Sequence, residues 1–140
     1  MMAIWQLYEH LIYPVVLTYH LPLIALIYAL IRGKHDSYIN EGKWKTWAFI
    51  HGVFFAGVIT LLSADLLVEY IMFPIIFGVW FSIFFDMSCG LFRVGKLLYF
   101  GSGKYDTKMR QVFVTPLNFL GFKIIWLIIL NGIYYSVLTQ

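Results

Sequence analysis

Long runs without a charged residue dominate this chain, and they leave it few possible folds. Residues 11–31 are 21 positions with no Asp, Glu, Lys or Arg. At 1.5 Å per residue such a run makes a helix of about 30 Å, the thickness of a bilayer's hydrocarbon. Three further runs follow: 46–64, whose one ionisable group is His51; 66–85, interrupted by Glu69; and 116–138, which carries Lys123. The chain is 61% hydrophobic and 12% charged, whereas a water-soluble domain is about 25% charged. A soluble core cannot absorb this much Phe, Ile, Leu and Tyr, so the bilayer has to be the solvent. In lipid, backbone polar groups are satisfied within helices. The expectation is one all-α domain, a polytopic membrane protein with four transmembrane helices.

Local signals place the breaks. Pro14 and Pro22 predict a kinked first span, since membrane helices tolerate proline. Gly33 reads as its stop, followed by a polar loop over 32–45. Ser63-Ala64-Asp65 leaves room only for a tight hairpin between the second and third spans. Gly52 and Gly57 suit close helix packing, and Pro74 suits a kink. The segment 87–114 is too apolar at Leu97–Phe100 to sit free in water. It predicts an amphipathic stretch with a glycine turn and a short helix over 107–114 capped by Asp106. Thr115-Pro116 is an N-cap followed by a first helical position. Residues 1–10 form a short lead whose Trp5 and Tyr8 suit an interface. Residues 1–31 hold no Lys or Arg, so the basic region of a cleavable signal peptide is missing, and the first span is expected to stay as an anchor.

Charge sets the orientation. All ten Lys and Arg fall in 32–45, in 93–110 or at Lys123, which is expected to snorkel to that same side. The other side carries Glu9, Asp65 and Glu69 and no basic residue. The positive-inside rule then puts both termini outward and the two polar segments in the cytoplasm of a bacterial-type inner or plasma membrane. The basic side favours anionic lipid headgroups as partners. The charges are spread over two segments as topology requires, with no basic run, so nucleic acid is not a partner.

Between Phe84 and Asp106 an apolar run ends in an acid, and a basic, glycine-broken stretch follows. Asp86 and Arg93 are two helical turns apart on one face with Cys89 and Gly90 between them. Their separation along the axis is about 10 Å, too long for direct contact, so each is expected to meet another helix or a headgroup. Gly101-Ser102-Gly103-Lys104 is not a nucleotide loop: the required earlier glycine is Leu98, and the required Ser or Thr is Tyr105. Phe85-Asp86, Gly90, Arg93, the Tyr99-x-Gly101 pair and Asp106 together resemble a pattern found in small uncharacterised integral membrane proteins of phages and bacteria. There an FD pair closes a membrane helix ahead of an aromatic-x-Gly turn and a further Asp. The likeness covers roughly twenty residues and departs at Gly90 and Val94, where the pattern has Asn and Gly. The resemblance implies a small membrane protein of phage-encoded type and transfers no catalytic residue.

The candidate functional polar residues are Asp86, Arg93, Lys96, Asp106 and Asn131. Asn131 lies deep in the last span and is expected to bond to His20 or to a copy of itself in a neighbouring chain. Glu69, Asp65 and Ser63 read as a solvated hairpin tip more readily than as a cation entrance. His20 and His51 are the candidate ligands for a haem or quinone; their depths differ on this topology, and a histidine bonded within the helix packing is the plainer reading. One cysteine, Cys89, allows no internal disulfide and no cysteine-cluster metal site. No Ser-His-Asp order, HExxH or dinucleotide fingerprint occurs. The expected function is non-catalytic: an accessory or structural subunit or membrane effector acting through helix packing, as a homo-oligomer or part of a membrane complex, with no cofactor. A holin-type pore is the second reading, and a haem- or quinone-binding module the third.

Overall fold

A computed structural model describes residues 18–36, 41–100 and 104–140, the side chains of 35–48 and 104–105 excepted. The lead at 1–10, the first seven residues of the 11–31 span with Pro14, and the glycines at 101 and 103 lie outside the described residues. Five helices follow one another: α1 (His20–Asp36), α2 (Glu41–Ser63), α3 (Leu67–Val94), α4 (Lys104–Phe113) and α5 (Pro116–Leu138). No strand occurs among the described residues.

The central element is α3, which packs against α1, α2 and α5, while α4 packs against α5. The contacts fix the directions. His20 meets Phe73 at the start of α3 and Gly33 meets Ser88 near its end, so α1 and α3 are parallel. Gly52 of α2 lies on Phe81. Lys123 of α5 pairs with Asp86 and Tyr134 with Glu69, so α5 runs back along α3. The described chain thus has two ends. One gathers 18–20, 64–69 and 134–140; the other gathers 32–36, the start of α2, 86–100 and 104–115 and, apart from Lys123 on α5, holds the described basic side chains.

Among the described residues two helices, α3 and α5, are long and apolar enough to cross a membrane; the sequence predicts four, two of them running into residues outside that description. Their most apolar stretches are only 33% and 22% buried, unlike the central helix of a soluble protein. The other two are described only in part. A turn at Thr18–Tyr19, closed by the Leu21 amide donating to the Thr18 carbonyl (3.0 Å), starts α1 at His20. Pro22 therefore stands in the first turn, where its missing N–H costs nothing, and the expected kink is absent from the described helix. Of α2, Phe49–Ser63 is an apolar helix among the described side chains, and the side chains before it lie outside them.

The polar loop expected over 32–45 is mostly helix: α1 runs to Asp36 and α2 begins at Glu41. Gly33 does not stop α1. It continues the ridge Leu21, Ala25, Ala29, whose members are fully buried, and a Cβ at Gly33 would collide with the Ser88 Cβ. Small residues every four positions let two backbones approach closely, the usual basis of helix packing in lipid. Gly52 serves a similar contact with the Phe81 ring; Gly57 has open space around it. Above the ridge, Tyr28 stacks on Phe55 (4.2 Å between centroids) and tilts against Phe81 (5.3 Å), joining α1, α2 and α3.

The hairpin between α2 and α3 is three residues, 64–66, as tight as expected. Its cap is Glu69, whose Oε2 accepts from the amides of Asp65 (2.7 Å) and Leu66 (3.0 Å). At the far end α3 runs on to Val94 and stops in a left-handed glycine cap: the Gly95 amide donates to the Leu91 carbonyl and the Lys96 amide to that of Gly90. Gly95 holds φ 68°, the left-handed conformation that favours glycine. A Cβ at Gly90 would strike the Lys96 carbonyl, so the returning strap of 96–100 requires a glycine there.

Helix α4 starts at Lys104, three residues earlier than expected, which makes Asp106 a buried first-turn residue and not the cap. An acid in that turn is favoured by the amide dipoles. Thr115 caps α5 as predicted, its Oγ1 accepting from the Asn118 amide (3.2 Å), with Pro116 following. The elbow before it is strained. Val114 sits at φ 62° in a γ-turn closed by the Thr115 amide on the Phe113 carbonyl (2.6 Å), a conformation that β-branched residues resist. Phe113 packs on Phe119 and Phe122, and Phe100 on Phe119, so a cluster of rings holds α4 and the strap to the start of α5.

Candidate functional site

The sequence puts an acid near the end of the apolar part of α3 and a lysine two turns into α5. Because the two helices are antiparallel, these positions meet. Lys123 Nζ donates to Asp86 Oδ2 at 2.6 Å. It also donates to the Ser82 carbonyl (3.3 Å) and lies over the Phe119 ring, 4.2 Å from the centroid. The lysine side chain is 10% exposed and that of Asp86 is 30%. Lys123 is therefore held inside the bundle by a carboxylate on the neighbouring helix, and the pair cancels charges that would be costly to bury singly.

The pair stands where two features meet. Beneath it, Leu97–Phe100 of the strap and Pro116 close off a space of about 30 Å³, enough for one water. On its other side opens a groove of about 770 Å³ between α2 and α5, floored by α3. Its walls include Phe49, Val53 and Ala56 of α2 and Phe122 and Trp126 of α5; its floor is Pro74, Gly78 and Ser82. Asp86 and Lys123 are the charged groups lining it.

A second polar layer ties the opposite end together. Tyr134 donates its hydroxyl to Glu69 Oε1 at 2.7 Å, so one carboxylate caps the hairpin and anchors α5. Asp65 stays exposed beside it, in keeping with the expected solvated hairpin tip. Asn131 is 1% exposed; its Oδ1 accepts from the Thr18 hydroxyl (3.0 Å) and its Nδ2 donates to the Leu127 carbonyl (2.8 Å). The expected partner was His20 or a second Asn131; the turn at 18–19 brings Thr18 instead.

The histidines are not brought together. His20 packs edge-on against Phe73, whereas Gly52, next to His51, touches Phe81. Eight residues of α3 separate those levels, about 12 Å along the axis. His20 Nε2 is buried without a hydrogen bond among the described residues, so the expected tie to a neighbouring helix is not made there. No group of three or more His, Cys, Asp or Glu able to hold a metal occurs among the described residues.

Arg93 and Lys96 are exposed at the end of α3, about two turns beyond the pair, and Asp106 is buried beside the strap. Of the five candidate polar residues, then, Asp86 lines the groove, Asn131 belongs to the opposite layer, and the rest lie at the basic end. Sequence reasoning assigned Lys123, Tyr134 and Thr18 no partner inside the bundle. The available signal for Lys123 was its depth, close to that of Asp86 once α3 and α5 are set antiparallel.

The chain matches no protein-family model, no curated protein and no solved structure.

Proposed function

We propose that this is a polytopic integral membrane protein of a bacterial-type inner or plasma membrane that works without catalysis, as an accessory or structural subunit or membrane effector. Four membrane-embedded segments, 11–31, 46–64, 66–85 and 116–138, would place both termini outward and the basic end in the cytoplasm, against anionic headgroups. The observation that supports this reading is how the polar side chains are used. Asp86 is bonded to Lys123, Glu69 to Tyr134 and Thr18 to Asn131, all within the bundle. The outward faces are left to side chains such as Phe54 (73% exposed), Leu62 (79%) and Leu67 (80%). Such a surface is stable only in lipid or against other apolar helices. Its function then lies in what it packs against, as a homo-oligomer or inside a membrane complex.

The test is extraction from native membranes in a mild detergent, with particle mass and absorbance read in one run. A particle containing other chains supports a subunit; a visible haem band refutes the reading. A reporter fused after Gln140 that is active only in the cytoplasm refutes the orientation.

A holin-type pore, which the likeness to phage membrane proteins favours, is the second reading. It needs Asp86, Arg93 or Asn131 on a shared lumen; Arg93 is exposed, whereas Asn131 is engaged inside its own chain. Unchanged ion and dye permeability on induced expression would end it.

A further inference from the structure

We propose that the groove between α2 and α5 is the seat of one phospholipid from the leaflet on the basic side, and that it selects a zwitterionic headgroup bearing a primary ammonium. The inference rests on the membrane reading above and goes beyond it.

The dimensions point to a lipid tail and not to a partner helix. Along α3 the groove runs from Asp86 to Pro74, twelve residues and about 18 Å. That is close to one leaflet, half of a hydrocarbon layer of about 30 Å. A spanning helix from another chain would need a trough over the whole height. The volume of about 770 Å³ is in the range of sites for small amphiphilic molecules, which combine apolar walls with a few polar groups. Here those groups lie together at the basic end, as an amphiphile requires. Asp86 is 19 residues from Leu67, about 28 Å from the opposite end, which puts the pair at the depth where acyl chains give way to headgroups.

The charge pattern selects the headgroup. Lys123 is engaged by Asp86 Oδ2, the Ser82 carbonyl and the Phe119 ring. Asp86 Oδ1 has no hydrogen bond among the described residues, and its side chain keeps 30% of its exposure. The open function at the head of the groove is thus an acceptor with negative charge, beside an ammonium it only just neutralises. A primary ammonium donates to that oxygen, while its phosphate is drawn to the lysine. A choline headgroup has no N–H to donate. A net anionic headgroup brings hydroxyl donors but adds negative charge beside the carboxylate. The basic surface around this site attracts anionic lipid generally; the groove discriminates the other way.

The experiment is native mass spectrometry of the full chain released from nanodiscs containing equal parts phosphatidylethanolamine, phosphatidylcholine and phosphatidylglycerol. The wild type should retain one phosphatidylethanolamine at least fivefold more often than either competitor. Gly78→Phe places a ring across the floor, where an added Cβ meets nothing within 4 Å, so the bundle accommodates it. It should lose the retained lipid at least fivefold while its helical circular dichroism is unchanged. Asp86→Asn should abolish the preference among the three lipids. Equal retention of all three by the wild type, or full retention by Gly78→Phe, would overturn the inference. A groove filled by a second copy would instead show as a lipid-free dimer that Gly78→Phe dissociates, which also overturns it. A chain recovered only in the soluble fraction refutes the membrane reading itself, so the two failures are distinguishable.

Discussion

Replacing Asp86 by Leu leaves the Lys123 ammonium, 10% exposed, with one carbonyl at 3.3 Å and the Phe119 ring. Removing one partner of a buried pair costs about 3–5 kcal/mol, because the remaining ion is desolvated without compensation. The 30% exposure of Asp86 argues for the low end, about 3 kcal/mol, and the ring returns about 1 kcal/mol of cation–π attraction at most. Lys123→Met should cost less, about 2 kcal/mol, since the carboxylate left behind opens onto the groove and can be hydrated from the basic end. The double variant, Asp86→Leu with Lys123→Met, removes both charges and keeps the volume. Such replacements are close to neutral, so it should lie within about 1 kcal/mol of wild type. The two substitutions must therefore couple by at least about 3 kcal/mol. Reversible unfolding in mixed dodecyl sulfate and maltoside micelles, followed by far-ultraviolet circular dichroism, gives the four free energies. If the two sites add within about 0.5 kcal/mol, the charges act independently, and the packing of α5 on α3 is not held by this bond.

Three further outcomes are expected from the same assay. Gly33→Leu drives a side chain into Ser88 and should cost about 1–3 kcal/mol, part of which Ser88→Gly restores; an unaffected Gly33→Leu would mean α1 does not lie on α3. Tyr134→Phe removes the bond to Glu69 and should cost about 0.6–1.7 kcal/mol, the range for such bonds in membranes, while an Asn131→Leu chain should lose a similar amount through Thr18. Val114→Gly relieves the left-handed backbone at the elbow; the relief of about 1–2 kcal/mol outweighs the entropy of glycine, so the melting temperature should rise, and a fall would contradict the strain assigned there.

How far the fold was legible depended on whether a signal was local. Thr115-Pro116 announced the start of α5, and Ser63-Ala64-Asp65 the hairpin, because caps and turns are decided by a few neighbouring residues. Gly33 misled for the same reason. A glycine ends helices on local grounds, but here it answers to Ser88, 55 positions away, and Ala25 and Ala29 carry the same message only once α3 is alongside. Depth was legible too: Lys123 was placed near one end of the bundle and Asn131 in its interior. Which way a side chain points around its helix was not, because apolar residues on every side give a membrane helix little periodicity to read. So Asp86 stayed without Lys123, and Asn131 was offered His20 when Thr18 was its neighbour. The groove left no mark on the sequence at all, since it is the space between α2 and α5 that neither helix fills.

The length of α3 has a mechanical consequence. Its 28 residues measure about 42 Å, some 12 Å more than a hydrocarbon layer of about 30 Å. The surplus carries Arg93 and ends in the left-handed glycine turn from which the strap folds back beneath the ion pair. This overhang is a rigid post bolted to the bundle by its own hydrogen bonds. The platform of strap and α4 therefore keeps its height above the bundle whatever the bilayer does. In a thicker membrane the headgroups rise toward that platform, and in a thinner one they draw away from it. If the proposed membrane placement holds, the chain would carry its own gauge of membrane thickness, read as the gap between a fixed shelf and a moving shoreline of lipid.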